Sequence, residues 1–204
     1  MVEILAIVVS MLAFGFSLFS YIQTREMKKR ENNCDKINTA LQMARYYMEE
    51  IIPELSRISS EIKRNKDVDN IINRIKAQQA KLFTQEEISS IFDKEADREK
   101  LKEFFSTFVH HDLCNKLEYF SMAFIQNVAD DDVVYQSLHQ TFLYIVLMLY
   151  FPIANENTYL KEHEKRFSNL RQLFLRWNER QYNEGEEHTQ RIQDNSTRVK
   201  TKRT

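Results

Sequence analysis

The sequence predicts an all-α protein: a single N-terminal transmembrane helix that continues into a stalk and then an antiparallel cytosolic helical bundle. Three observations predict it. Only two glycines (Gly15, Gly185) and two prolines (Pro53, Pro152) interrupt 204 residues, whereas strand-rich folds need frequent turn residues. Residues 4–22 carry no charge. Residues 34–62 carry an unbroken heptad pattern. The glycine count also excludes clustered phosphate-binding loops, in which glycine lets the backbone close around a phosphate. A net charge of −1 gives no reason to expect nucleic acid as a partner.

Residues 4–22, ILAIVVSMLAFGFSLFSYI, form the anchor. As a helix rising 1.5 Å per residue they cover about 28 Å, close to the ~30 Å hydrocarbon core. A cleaved signal peptide needs a basic n-region and a small-residue cleavage site. The chain instead begins Met1, Val2, Glu3, and no Ala-x-Ala follows the apolar run. Arg25, Lys28, Lys29 and Arg30 come immediately after the span. Basic residues stay on the cytoplasmic face, so residues 23–204 are expected on the cytosolic side of the membrane. These four residues set topology, and near anionic headgroups each contributes about 1 kcal/mol. Cys34 and Cys114 have neither CxxC nor zinc-like spacing and read as free thiols of a reducing compartment.

The central domain spans 23–183. Its stalk helix, about 34–62, places Ile37, Leu41, Ala44, Met48, Ile51, Leu55, Ile58 and Ile62 at alternating four- and three-residue spacing, an a/d seam. Pro53 falls opposite that seam and should bend the helix without ending it. Ile37, Leu41, Met48, Ile51 and Leu55 are the candidate self-association residues. In cis the same seam packs into the bundle, as every bundle helix requires.

Bundle helices follow from about 67 to 183. Val68, Ile71, Ile72, Ile75 and Leu82 share one face of a helix over 67–82. Thr84-Gln-Glu-Glu87 reads as a capping box that opens a short helix to about Phe92. A long helix is expected from about Glu95 to Val128. Asp130, Asp131 and Asp132 open the next, where negative charge suits the N-terminal dipole. That helix runs to Phe151 and stops at Pro152. Its apolar end, 142–151, is too short for a second span and suits a fully buried bundle helix. The last helix, about 158–183, carries Leu160, His163, Phe167, Leu170, Phe174 and Trp177 on one face, with Gly185 as its stop. Residues 184–204 hold almost no large apolar side chain and read as a disordered basic tail.

The stretch LCNKLEYFSMAFIQNVADDDVV, from Leu113 to Val134, resembles a bacterial family of unknown function whose members are N-terminally membrane-anchored helical proteins. Leu113, Asn115, Leu117, Glu118, Tyr119, Phe120, Ala123, Val128, Asp131 and Val133 carry the resemblance, with the spacing of Phe167, Trp177 and Glu179 beside them. It covers roughly 40–204. It implies the anchored architecture, a bacterial origin and an association with stress or phage-defence loci, but no reaction and no cofactor.

Candidate chemistry is thin. Asn115 and Glu118 lie three residues apart beside the apolar stripe, where a buried pair either binds a ligand or bonds a neighbouring helix. His110, Cys114 and Glu118 share a helical face but lack a second ligand pair for a metal. His163 on the apolar seam is either a satisfied core histidine or a sensor. Tyr119 completes the ligand or interaction set. Asp130–Asp132 lack the glycine and loop spacing of a calcium site. No catalytic set is legible, and no cofactor or metal is expected. The function expected is a membrane-tethered interaction module, an adaptor or sensor, self-associating and bound to the bilayer, with any protein partner unidentified. The alternatives are a self-assembling effector that perturbs the membrane and an enzyme using Asn115 and Glu118.

Overall fold

The computed structural model describes the backbone of residues 2–77, 83, 85–92, 95–107, 110–157, 160 and 165–201. Within these ranges it describes side chains from Gln23 to Glu186, except Arg25, Gln85 and His110. Among the described residues every regular element is helical: α1 (Val2–Tyr46), a π turn (Tyr47–Ile51), α2 (Ile52–Arg64), α3 (Lys66–Ala77), α4 (Gln85–Ile91), α5 (Glu95–Thr107), α6 (His110–Ile125), α7 (Asp132–Met148), α8 (Tyr150–Asn157) and α9 (Ser168–Thr201).

The predicted anchor and the first part of the predicted stalk are one helix. The backbone is unbroken from Val2 to Tyr46, because no glycine or proline falls between residues 16 and 52. Among the described residues no single helix is long and apolar enough to cross a membrane. The side chains of residues 4–22 lie outside that set. All the described side chains from 23 to 35 are exposed, so α1 joins the bundle only near Lys36.

The heptad seam divides at the π turn. Up to its first residue, the buried face holds Ala40 of α1 and Tyr47, with Met43 partly buried. Each lies one residue ahead of a predicted seam position, which is about 100° around a helix of 3.6 residues per turn. After it, Ile51, Leu55, Ile58 and Ile62 are themselves buried, as read from the sequence. The π turn absorbs the extra residue, and the Ile52 amide donates to Tyr47 O across it. Pro53 is the reason: it has no N–H to donate, and an i→i+5 turn relieves its ring of the preceding carbonyls. Ile37, Leu41 and Met48 are therefore left in solvent, 40, 55 and 56% exposed.

Several helix ends differ from expectation. The long helix expected over 95–128 is described as α5 and α6 on either side of residues 108 and 109, which lie outside the described residues. Helix α6 stops at Ile125 because Asn127 adopts φ 57°. Val128 N then bonds Ala123 O, and Asn127 N bonds Phe124 O, the Schellman pattern, in which asparagine tolerates the left-handed conformation. The apolar helix ends at Met148, before Pro152, and α8 departs from it at 58°. A proline ring clashes with the carbonyl four residues back, here that of Met148. The 142–151 segment is mostly buried in the core, as its composition suggested. The last helix begins at Ser168 instead of 158 and continues through Gly185 to Thr201, so residues 184–201 of the expected disordered tail are helical backbone. An added Cβ at Gly185 would meet nothing within 4 Å; glycine there is a helix residue with a propensity cost of about 1 kcal/mol, not a stop.

The core centres on Trp177 of α9, against Phe120 and Phe124 of α6 and Tyr135 and Phe142 of α7. Pairwise contacts fix the directions. Lys36 Nζ bonds Asn127 Oδ1 at 2.9 Å, Tyr46 meets Tyr119 edge-on and Lys116 pairs with Glu50, so α1 runs antiparallel to α6. Glu118 holds Asn169 while Phe124 meets Trp177, so α9 runs parallel to α6. Arg180 binds Asp132 and Tyr135 Oη donates to Glu184 at the end where Lys36 enters. The N-terminal overhang of α1 and the C-terminal overhang of α9 thus leave the same end of the bundle.

Candidate functional site

Helix α9 needs an acceptor for its first amides, since every helix starts with four unpaired N–H groups. Its N-cap position is Phe167, buried at φ 59°, which has no side-chain acceptor. Glu118 supplies one from α6. Its Oε1 accepts from Asn169 N (3.1 Å) and Asn169 Nδ2 (2.7 Å), and its Oε2 accepts from Leu170 N (2.8 Å). Of the two options open for Glu118, the structure fills the bond to a neighbouring helix. Asn115 is exposed, so the two do not form a buried pair. Tyr119 is half exposed and packs edge-on against Tyr46. His163 lies outside the described residues. Lys28, Lys29 and Arg30 are exposed on the α1 overhang; the Arg25 side chain is outside the described set.

Two polar clusters escaped the sequence reading. At the entry end, Asp131 accepts from Trp177 Nε1 (3.2 Å) and pairs with Arg176 (3.0 Å). Arg180 bonds Asp132 at 2.5 Å, pairs with Glu184 and covers the Tyr135 ring. Burial, with Glu184 beside it, pushes the Tyr135 phenol up to about 12. The aspartates were read as dipole partners of α7; their role as a clamp on α9 depends on pairing across 46 to 48 residues, which no local pattern carries. The second cluster is Glu87, which accepts from Phe83 N at 2.9 Å and from Tyr150 Oη. The glutamate of the expected capping box accepts from the amide one residue before the expected cap, and Thr84 itself lies outside the described residues. Burial first and then Glu87 raise the Tyr150 phenol.

His139 is buried, with Nδ1 2.7 Å from Tyr135 O and its ring stacked on Tyr135. Burial pushes the Cys114 thiol up, away from the thiolate needed for nucleophilic chemistry. Glu156, beside a cleft of about 270 Å³ shared with Phe105 and Phe151, pairs with His111 at 3.0 Å and Arg166 at 3.6 Å. Among the described residues no group of three or more His, Cys, Asp and Glu is placed to hold a metal ion. No family model, curated protein or solved structure matches the chain.

Tyr47, in the π turn, has a fully buried hydroxyl with no hydrogen-bond partner among the described residues, and burial raises its phenol far above the ordinary range. An unpaired buried hydroxyl costs about 1–3 kcal/mol. Tyr47→Phe is therefore expected to leave the fold as stable or raise it by about 1 kcal/mol in urea denaturation; a clear loss of stability would show that the hydroxyl has a partner in solution.

The surface feature that stands out is apolar. Met27, Leu41 and Met48 are more than half exposed, and Cys34 and Ile37 are exposed between them. Met27, Cys34 and Leu41 on α1 and Met48 in the π turn fall at seven-residue intervals, with Arg30, Ile37 and Ala44 at the intervening positions. From Ile37 onward this stripe lies on the side of the helix turned away from the buried Ala40 and Tyr47, and Met27 and Cys34 continue it onto the protruding part.

Proposed function

We propose that this chain is a membrane-tethered, cytosol-facing helical interaction module, an adaptor or sensor that self-associates along its stalk. The observation that carries the reading is the exposed stripe of Ile37, Leu41 and Met48, continued by Cys34 and Met27. Its seven-residue repeat is the a/d pattern of a parallel coiled coil. Ile51 and Leu55, which the sequence placed in the same association seam, are buried in the bundle core and are removed from it. The uncharged residues 4–22 continue the same helix and support the anchor. Anchoring two copies in one bilayer raises their effective concentration and aligns them in parallel. Arg25, Lys28, Lys29 and Arg30 favour the orientation with the bundle in the cytosol.

The test is the mass of the full chain in detergent. Leu41→Asp combined with Met48→Asp touches only exposed positions, so the fold is expected to survive. The wild type should run as an oligomer and the double variant as a monomer, because two buried charges per chain would face their own copies across the seam. An unchanged mass would remove the self-association reading. Ile51→Asp is a poor probe, since it puts a charge into the core and unfolds the bundle.

A further inference from the structure

Arg30 is the one charged residue in the stalk stripe. With Met27, Cys34, Leu41 and Met48 at a positions, it takes the d position between Met27 and Cys34. In the same frame Glu26 and Glu31 fall at g and e, the two edges of the seam, while Lys28 and Lys29 fall at b and c, outside it. Glu26, Arg30 and Glu31 are all exposed, and among the described residues none of the three makes a hydrogen bond or an ion pair. Every other arginine whose side chain is described pairs with a carboxylate or lies over a ring. Arg30 stands about 9 Å of helix outside Lys36, where α1 joins the bundle. A guanidinium placed in an apolar seam opposes association unless a carboxylate meets it there.

We infer that Arg30 of each copy pairs with Glu31 of the other in a parallel stalk, and that this ion layer sets the register of self-association. The inference rests on the self-association proposed above. In a parallel coiled coil a d side chain inserts beside the d and e residues of the facing helix, and the g residue of one helix faces the next e residue of the other. Glu26 of one copy therefore faces Glu31 of the second, a like-charged pair that repels unless a base stands between them. Arg30 is that base: it follows Glu26 by one turn on its own helix and inserts beside Glu31 of the second copy. Its planar guanidinium presents donors in a fork that serves both carboxylates. A slip of one heptad moves one Arg30 against Ile37 and Asn38 and the other against Gln23 and Thr24, none of them charged. Only the in-register pairing gives both guanidinium groups an acid. A single polar layer in an apolar seam specifies register in this way.

The test uses the full chain in phosphatidylcholine vesicles, whose neutral headgroups keep lipid charge out of the result. Cys114 is buried, so brief oxidation with copper phenanthroline reads Cys34 facing Cys34, the next layer of an in-register parallel seam. Association is read as the protein-to-lipid ratio at which half the chains crosslink. Arg30→Glu alone and Glu31→Arg alone should each weaken it about tenfold, because every pair of chains carries two such bridges. Arg30→Glu combined with Glu31→Arg keeps the total charge and should restore it, the coupling expected of residues in contact. All three variants lie outside the bundle and should keep its melting temperature. Wild-type association in all three, still lost in Leu41→Asp with Met48→Asp, overturns the ion layer and leaves self-association standing. Weakened single variants that the combination does not rescue overturn the pairing. An oligomeric mass in detergent without Cys34 crosslinking overturns the in-register layer alone. A monomeric wild type that never crosslinks overturns self-association and this inference with it.

Discussion

Replacing Trp177 with alanine is expected to cost the bundle about 3–5 kcal/mol, the range for large aromatic truncations in a core. The indole is fully buried and joins α9 to both α6 and α7. Its ring centre lies 5.0 Å from that of Phe142, 5.6 Å from Tyr135, 6.1 Å from Phe124 and 6.3 Å from Phe120. Truncation leaves a cavity walled by four rings that sit on rigid helices and cannot collapse into it. It also removes a donor from Asp131, which then depends on Arg176 alone. Folded domains have only about 5–15 kcal/mol in total, so the variant should be partly unfolded at modest urea. Trp177→Phe keeps much of the ring area and should cost less than half as much. Because this is the protein's sole tryptophan, the measurement is urea denaturation followed by far-ultraviolet circular dichroism. A cost under about 2 kcal/mol would place the site among those that relax into a cavity.

The helical class was legible because periodicity is a local property, and so were the buried faces of α2 and α3. What could not be read were the places where one residue's backbone chemistry outweighs the pattern around it. The 4-3 spacing from Ile37 to Ile62 is continuous in the sequence, yet the π turn ahead of Pro53 rotates its first half out of the bundle. The proline was noticed and its bend expected; that the compensation would take the form of an inserted residue depends on packing against Phe120 and Tyr119, far along the chain. Asn127 ended α6 earlier than the apolar pattern suggested, since Val128 continues the pattern but takes part in the terminating turn. Gly185 misled in the opposite direction: a residue common at helix ends stands inside α9, because its surroundings are open and nothing there requires positive φ. The candidate site shows the same division. Glu118 was singled out as a polar residue beside an apolar stripe, which is correct. Its duty follows from Phe167, which is 49 residues away in sequence and occupies a capping position it cannot serve.

That duty makes Glu118→Ala the second large effect, expected at about 3 kcal/mol. Losing an N-cap acceptor alone costs about 1 kcal/mol, and hydrogen bonds to a charged group contribute about 1.5–3 kcal/mol. Glu118 receives two backbone amides and one side-chain amide, and its negative charge faces the positive end of the α9 dipole. No neighbouring side chain on α9 can take over, because Phe167 is apolar and Ser168 is already inside the helix. Glu118→Gln discriminates between roles. It keeps the length and one carbonyl acceptor but turns an NH₂ toward an amide donor, so it should lose about half as much stability. The signature is local: hydrogen exchange at Asn169 and Leu170 should quicken in both variants, while amides in α3, anchored by Asn65 Oδ1 to Val68 N, respond only to the global loss. A ligand-binding or catalytic carboxylate would behave the other way, because active-site charges are held against the stability of the fold and their removal often leaves it unchanged or firmer. Unaltered exchange and unaltered urea midpoints in Glu118→Gln would therefore return Glu118 to the list of functional residues, and faster exchange confined to the start of α9 would settle it as the cap that the helix lacks in its own sequence.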